Sequence, residues 1–135
     1  MGSPNIMNSA VSQETSQHTV FVVDDEPMLL GLAEAILTPL GYDVHTFRDP
    51  EQALKEFPIT RPDVVITDYA MGRMNGMDLI RECRRLNPSQ KMVLLSGTVD
   101  EDVFAAAPVR PDKFLTKPYQ IHELAALVRS LVGPG

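Results

Sequence analysis

The chain has 135 residues, 44% of them hydrophobic, enough for one domain built on a single core. Its formal net charge of -6 leaves no basic face for nucleic acid, and its one cysteine, Cys83, excludes an internal disulfide or a multi-cysteine metal site. No apolar run approaches the ~20 residues of a membrane span, and residues 1–19 lack the apolar stretch of a signal peptide.

Residues 1–18 are rich in Asn, Ser, Gln and Thr. They read as a disordered tail, with MGSP as an expression leftover. The domain is expected over 19–132, with 133–135 as its C-terminal end. Strand and helix patterns alternate through it without an internal repeat. The first strand, Val20 to Asp24, leads to a helix opened by Pro27. Leu29, Leu32, Ala33, Ile36 and Leu40 give that helix an apolar face, and Gly41 offers a C-terminal cap. Pro39 predicts an end or distortion near Leu37. The second strand is Tyr42 to Phe47. Asp49 and Pro50 then start a helix that Pro58 is expected to end.

Strand three, Asp63 to Thr67, is an uninterrupted apolar run that ends at Asp68. Gly72 and Asn75-Gly76 mark a loop, and a helix follows from about Met77 to Leu86, stopped by Asn87-Pro88. Strand four, Lys91 to Leu95, ends at Ser96. A short helix is expected over Asp100 to Ala107, bounded by Pro108 and Pro111. Strand five, Lys113 to Thr116, delivers Lys117. A final helix, about Tyr119 to Leu131, turns Ile121, Leu124, Ala125, Val128 and Leu131 inward.

Strands one, three and four are continuously apolar, so they belong in the centre of a parallel sheet covered on both faces. Strands two and five are more polar and suit the edges. Right-handed crossovers then favour the order 2-1-3-4-5. This order makes Asp24, Asp25 and Asp68 neighbours at the carboxyl edge, where open α/β sheets bind ligands. Three packed carboxylates need protonation or a cation. Oxygen ligands without His or Cys suit Mg²⁺, with Mn²⁺ as a substitute. Lys117 adds a positive charge and Ser96 a hydroxyl. The set suits a carboxylate nucleophile that takes up a phosphoryl group.

The motifs VVDDE, TDYAMGRMNG, LLSG and FLTKP, each at a strand end, resemble those of response regulator receiver domains of two-component systems, from about Thr19 to Leu131. The resemblance implies a flavodoxin-like five-stranded parallel sheet with helices on both faces. It implies Asp68 as phosphoacceptor and Asp24, Asp25, Asp68 and the Ala70 carbonyl around Mg²⁺. Ser96 would be the switch hydroxyl, Lys117 the phosphoryl-pairing lysine, Phe114 the switch aromatic, and Lys117-Pro118 a cis peptide. The activity implied is self-catalysed phosphotransfer with slow autodephosphorylation, not turnover as an enzyme. The partners implied are a sensor histidine kinase or phosphotransfer protein, a downstream protein or fused output domain, and a phosphorylation-dependent dimer. No nucleic-acid or membrane contact is implied, and the location implied is cytoplasmic. Two departures stand out. Gly72 occupies a position usually Pro, which predicts a more flexible loop, and Arg110-Pro111 replaces a usual Gly-Ala, which predicts a short or irregular helix before it.

Plainer readings stand beside these. Asp favours turns at strand ends. His18, His45 and His122 lack ligand spacing, Cys83 suits inert packing, and Arg81, Arg84 and Arg85 read as a solvated helix face. An aspartyl-phosphate phosphatase that uses Mg²⁺ is the alternative function, although it wants a second acid two residues after its nucleophile. A flavodoxin-like cofactor enzyme would need a phosphate-cradling first loop, and Asp24-Asp25-Glu26-Pro27 would repel phosphate.

Overall fold

A computed structural model of the chain describes residues 17–97 and 108–133. The short helix predicted over Asp100 to Ala107 and most of the predicted tail lie outside these residues. The elements are β1 (Thr19–Val23), α1 (Pro27–Leu37) with a 3₁₀ turn (Thr38–Leu40), β2 (Asp43–Phe47), α2 (Pro50–Thr60), β3 (Val64–Asp68), α3 (Gly76–Leu86), β4 (Lys91–Ser96), β5 (Lys113–Thr116) and α4 (Ile121–Val132). All strand pairs are parallel, and the order is β2-β1-β3-β4-β5. The strand order expected from the apolar patterns is the one observed, and so is the flavodoxin-like arrangement that the resemblance implies.

The period of two along each strand divides the core. Val20, Val22, Ile66, Val93 and Leu95 face α1 and α4, where Leu30, Leu37, Leu124 and Val128 meet them. Phe21, Val23, Val65, Met92 and Leu94 face α2 and α3, where Phe57, Leu79, Ile80 and Cys83 close the other layer. Burial on both faces explains why these strands read as unbroken apolar runs.

Three expectations need correction. The buried residues of α1 are Leu30, Ala33, Ile36 and Leu37, whereas Leu32 and Leu40 are 38% and 39% exposed. The segment MLLGLAEAIL is apolar at almost every position, so two helical stripes compete, and packing against α4 selects the one through Leu30 and Leu37. Likewise, Ile121 is 63% exposed because it sits in the first turn of α4, while Leu124 and Val128 form its buried stripe. Finally, α2 runs through Pro58 to Thr60. A proline inside a helix costs about 3 kcal/mol. Here it removes one bond near the end, and burial of Phe57 beside it returns about 1.5–3 kcal/mol. Arg61, at φ 54, then closes the helix by donating its N–H to the Phe57 carbonyl at 2.8 Å.

The capping chemistry is local. Asn75 and Asp78 form a reciprocal capping box on α3, with Asp78 N–H to Asn75 Oδ1 at 2.8 Å and Asn75 N–H to Asp78 Oδ2 at 3.1 Å. Asp49 caps α2 through the Glu51 N–H. Gly41, at φ 97, ends the 3₁₀ turn that accommodates Pro39. Among the described residues, no helix is long and apolar enough to cross a membrane.

The corrected stripe on α1 is directly testable. Leu30→Ala should lower stability by about 2–5 kcal/mol in urea unfolding, as a buried Leu truncation does. Leu32→Ala should change it by less than about 1 kcal/mol. Equal losses would mean that the helix is rotated from the position described.

Candidate phosphotransfer site

The site follows from strand register. Val23 lies opposite Thr67, so Asp24 and Asp68, one residue on, share a level. Asp68 lies opposite Leu95, and Ser96 opposite Thr116. Ser96 and Lys117 therefore leave the sheet just beyond the two acids. The Asp24 N–H donates to the Phe47 carbonyl at 3.0 Å, which carries the ladder one step past β1 before the chain turns. In that turn Asp24 Oδ1 accepts the Glu26 N–H at 3.0 Å. Asp24 and Asp68 are buried and Asp25 is exposed, and one carboxylate oxygen from each lies within 4.8 Å of the others.

Lys117 holds this arrangement together. Its ammonium lies 2.9 Å from Asp68 Oδ1 and 3.1 Å from Asp24 Oδ2. Its backbone N–H donates to the Ser96 carbonyl at 2.9 Å, so the backbone is tied to the end of β4 while the side chain reaches the ends of β3 and β1. Burial opposes the charged lysine, but the hydrogen bonds it donates to Asp68 and Asp24 outweigh it and raise the ammonium above its ordinary pKa. Burial raises the Asp68 carboxyl as well. Lys117 opposes that rise and the charge of Asp24 reinforces it. Both Lys117 and Asp68 can move upward because one ammonium serves two carboxylates: the cation gains twice, and Asp68 has only a share of it. The three acids present hard oxygen donors with no sulfur or imidazole among them, which fits a divalent cation.

The other predicted residues fall around this centre. Ser96 is buried at the end of β4. Ala70 is exposed in the loop after β3, and the Lys117-Pro118 peptide is cis. Phe114 is half-buried and packs with Val109 against the layer formed by α2 and α3. Gly72 adopts φ +31, a conformation that proline cannot take. Cys83, on α3, is buried in the core layer that this helix shares with α2, and burial pushes its thiol up to about 12.

Two supporting residues were misread from sequence. Asn75-Gly76 looked like a turn, but Gly76 is the first residue of α3 and is buried. A Cβ there would collide with the Asp68 carbonyl oxygen and lie 2.7 Å from Leu94 Cδ1. Its N–H donates to the Tyr69 carbonyl at 2.8 Å. The missing side chain is what lets α3 begin directly against β3. Arg84 is also not part of a solvated face. It donates to the Gln90 carbonyl at 2.7 Å, the Arg110 carbonyl at 3.1 Å and Asp112 Oδ2 at 2.9 Å, and Asp112 Oδ2 also accepts the Met92 N–H at 2.7 Å. The signal for Arg84 was available: it stands four residues after buried Ile80, at the margin of the buried stripe, whereas Arg81 and Arg85 lie beyond it.

A parallel sheet of this order, with three acids, a hydroxyl and a lysine at its carboxyl edge, defines a phosphoacceptor signalling module whose chemistry is self-catalysed phosphotransfer. Comparison with known proteins gives the family. The profile of the response regulator receiver domain matches residues 20–129, and the chain belongs to that family. It is 34% identical over 115 residues to the probable transcriptional regulatory protein TcrX of Mycobacterium tuberculosis, covering 84% of this chain and 49% of that one. It is 32% identical over 117 residues to the DNA-binding response regulator MtrA of Mycolicibacterium smegmatis, covering 87% of this chain and 51% of that one. The chain thus spans about half the length of these curated relatives. Among solved structures it resembles the signal receiver domain of an HD domain-containing protein from Pseudomonas fluorescens Pf-5, with a TM-score of 0.79 and 28% identity, covering 85% of this chain and 94% of that one.

The role of Gly76 can be measured. Gly76→Ala should destabilise the fold by about 1–3 kcal/mol in urea unfolding, as overpacking does. Amide signals of Asp68 and Tyr69 should shift, because the added methyl meets their backbone. Wild-type stability together with unmoved signals would mean that α3 does not abut β3 as described.

Proposed function

We propose that Asp68 accepts a phosphoryl group from the phosphohistidine of a histidine kinase or phosphotransfer protein. The observation that carries this is Asp68, at the end of the central strand, within ion-pair distance of Lys117 and clustered with Asp24 and Asp25. An Asp68 oxygen attacks phosphorus, the N–P bond breaks, and the imidazole keeps the electron pair and takes up a proton. Lys117, already between Asp24 and Asp68, balances the charge that gathers on the phosphoryl oxygens. Asp24, Asp25, Asp68 and the Ala70 carbonyl would hold Mg²⁺, or Mn²⁺ in its place, which neutralises acids and phosphoryl oxygens together. Beside the acids, α1 turns Met28 to solvent at 83% exposure and Leu32 at 38%, an apolar footing for the donor protein.

The signal then leaves through Ser96 and Phe114. The Ser96 hydroxyl turns toward the new phosphoryl group, since a charge-assisted hydrogen bond outweighs the neutral one it replaces. Phe114, half-buried two residues past the Arg84–Asp112 clamp, moves into the space that Ser96 vacates. The surface around β5 and α4 would carry this change to a downstream protein, an output domain of the same polypeptide, or a second phosphorylated copy. TcrX bears the name of a probable transcriptional regulatory protein and MtrA that of a DNA-binding response regulator, and this chain spans about half of each, which fits an output beyond the receiver. The domain is assigned to residues 19–132, and its place of action to the cytoplasm, where such kinases meet their acceptors.

Two measurements check this function. With acetyl phosphate and Mg²⁺, the wild-type chain should gain one phosphoryl mass. Asp68→Asn or chelator should abolish the gain, and Lys117→Ala should slow it by about 10²–10³-fold, as loss of a preorganised charge-stabilising donor does. The same phosphoryl mass on Asp68→Asn would place the acceptor elsewhere. For the switch, beryllofluoride should shift the amide signals of Ser96 and Phe114 along with those of Asp68. Shifts confined to Asp68 would exclude the coupling.

A further inference from the structure

A cleft of about 210 Å³ opens beside the acid cluster and shares Asp25 with it. Its other walls include Arg48, Glu51, Met71, Gly72 and Arg73. At ~30 Å³ per water it holds about seven waters, room for a small organic acid. Strand pairing puts Arg48 here: the Asp24 N–H bonds the Phe47 carbonyl, so the residue after Phe47 stands next to the Asp24–Asp25 turn. Arg48 is exposed and makes no hydrogen bond or ion pair with any described residue. Arg73 lines the same cleft from the loop after β3. One of its terminal nitrogens contacts both oxygens of Glu51, at 3.1 and 3.2 Å, which neutralises that carboxylate. A guanidinium has five N–H donors, so Arg73 keeps donors to spare at 86% exposure. Gly72, at φ +31, lines the cleft with open space within 4 Å of where its Cβ would stand.

An acyl phosphate leaves a carboxylate behind when it gives up its phosphoryl group. That carboxylate must develop its charge beside Asp24 and Asp25, which repel it. A guanidinium matches a carboxylate in charge and in its paired donors. We propose that Arg48, assisted by Arg73, receives the carboxylate leaving group when a small acyl phosphate phosphorylates Asp68. This rests on Asp68 being the acceptor. In the step, the Asp68 oxygen–phosphorus bond forms and the bond from phosphorus to the acyl oxygen breaks. The electron pair stays on the departing carboxylate, and no proton changes hands. Arg48 is thus a specificity-determining residue for the donor and has no part in holding the phosphoryl group.

Phosphoramidate provides the comparison, because its leaving group is a neutral amine. The readout is the ratio of the Asp68 phosphorylation rate with acetyl phosphate to that with phosphoramidate. Arg48→Ala should lower this ratio by about tenfold, the size of one lost hydrogen bond to a charged group. Arg73→Ala should lower it less, and Arg48→Lys should recover most of it because the charge remains. An unchanged ratio in Arg48→Ala overturns the proposal, whether the separate rates hold or fall together. A lowered ratio accompanied by lost beryllofluoride binding also overturns it, since the phosphoryl site itself would then be damaged. A wild-type chain phosphorylated by neither donor refutes the acceptor assignment instead.

Discussion

Two carboxylates sit almost out of water at one end of this sheet, and the surrounding structure compensates their charge. Asp24 is 1% exposed and Asp68 7%. Buried charges without partners are costly enough to unfold a small domain or to force protonation. Lys117 prevents this from the end of an edge strand, ninety-three residues along the chain from Asp24. The compensation is incomplete, which is why the Asp68 carboxyl stays above its ordinary pKa. That shortfall is what equips the site for a cation and a phosphoryl group: it is stable enough to fold and has too little positive charge to be inert.

The geometry behind this is the parallel register. Each strand end is offset by at most one residue from its neighbour, so groups distant in sequence arrive at one level. Support comes from beneath and from the side. Gly76 lets α3 begin directly against β3, and Arg84 ties the end of that helix to the entry of β5. Edge strand β5 has only four residues and one sheet neighbour, so an anchor at its entry matters for everything it carries, from Phe114 to Lys117.

The sheet, its order and the identity of the clustered acids were legible because strands buried on both faces spell out their burial and end abruptly in polar residues. Helical faces were less legible. In α1 nearly every residue is apolar, so the pattern could not say which stripe faces inward. In α2 the burial of Phe57 overrode the stop that Pro58 signals. Gly76 was invisible because a close backbone approach leaves no pattern in neighbouring residues, whereas Arg84 carried a signal in its place four residues after Ile80, at the margin of the apolar stripe.

The sheet also works as a partition. Each central strand sends alternate residues into two apolar compartments, one shared with α1 and α4, the other with α2 and α3. Side chains in different compartments have the backbone between them and few partners in common, so substitutions on the two sides should act nearly additively. A lineage can therefore remodel one helical layer without refitting the other. The α1 side, with Met28 and Leu32 exposed, and the β5 rim that carries Phe114 need not evolve in step, while the acids between them stay where the register puts them.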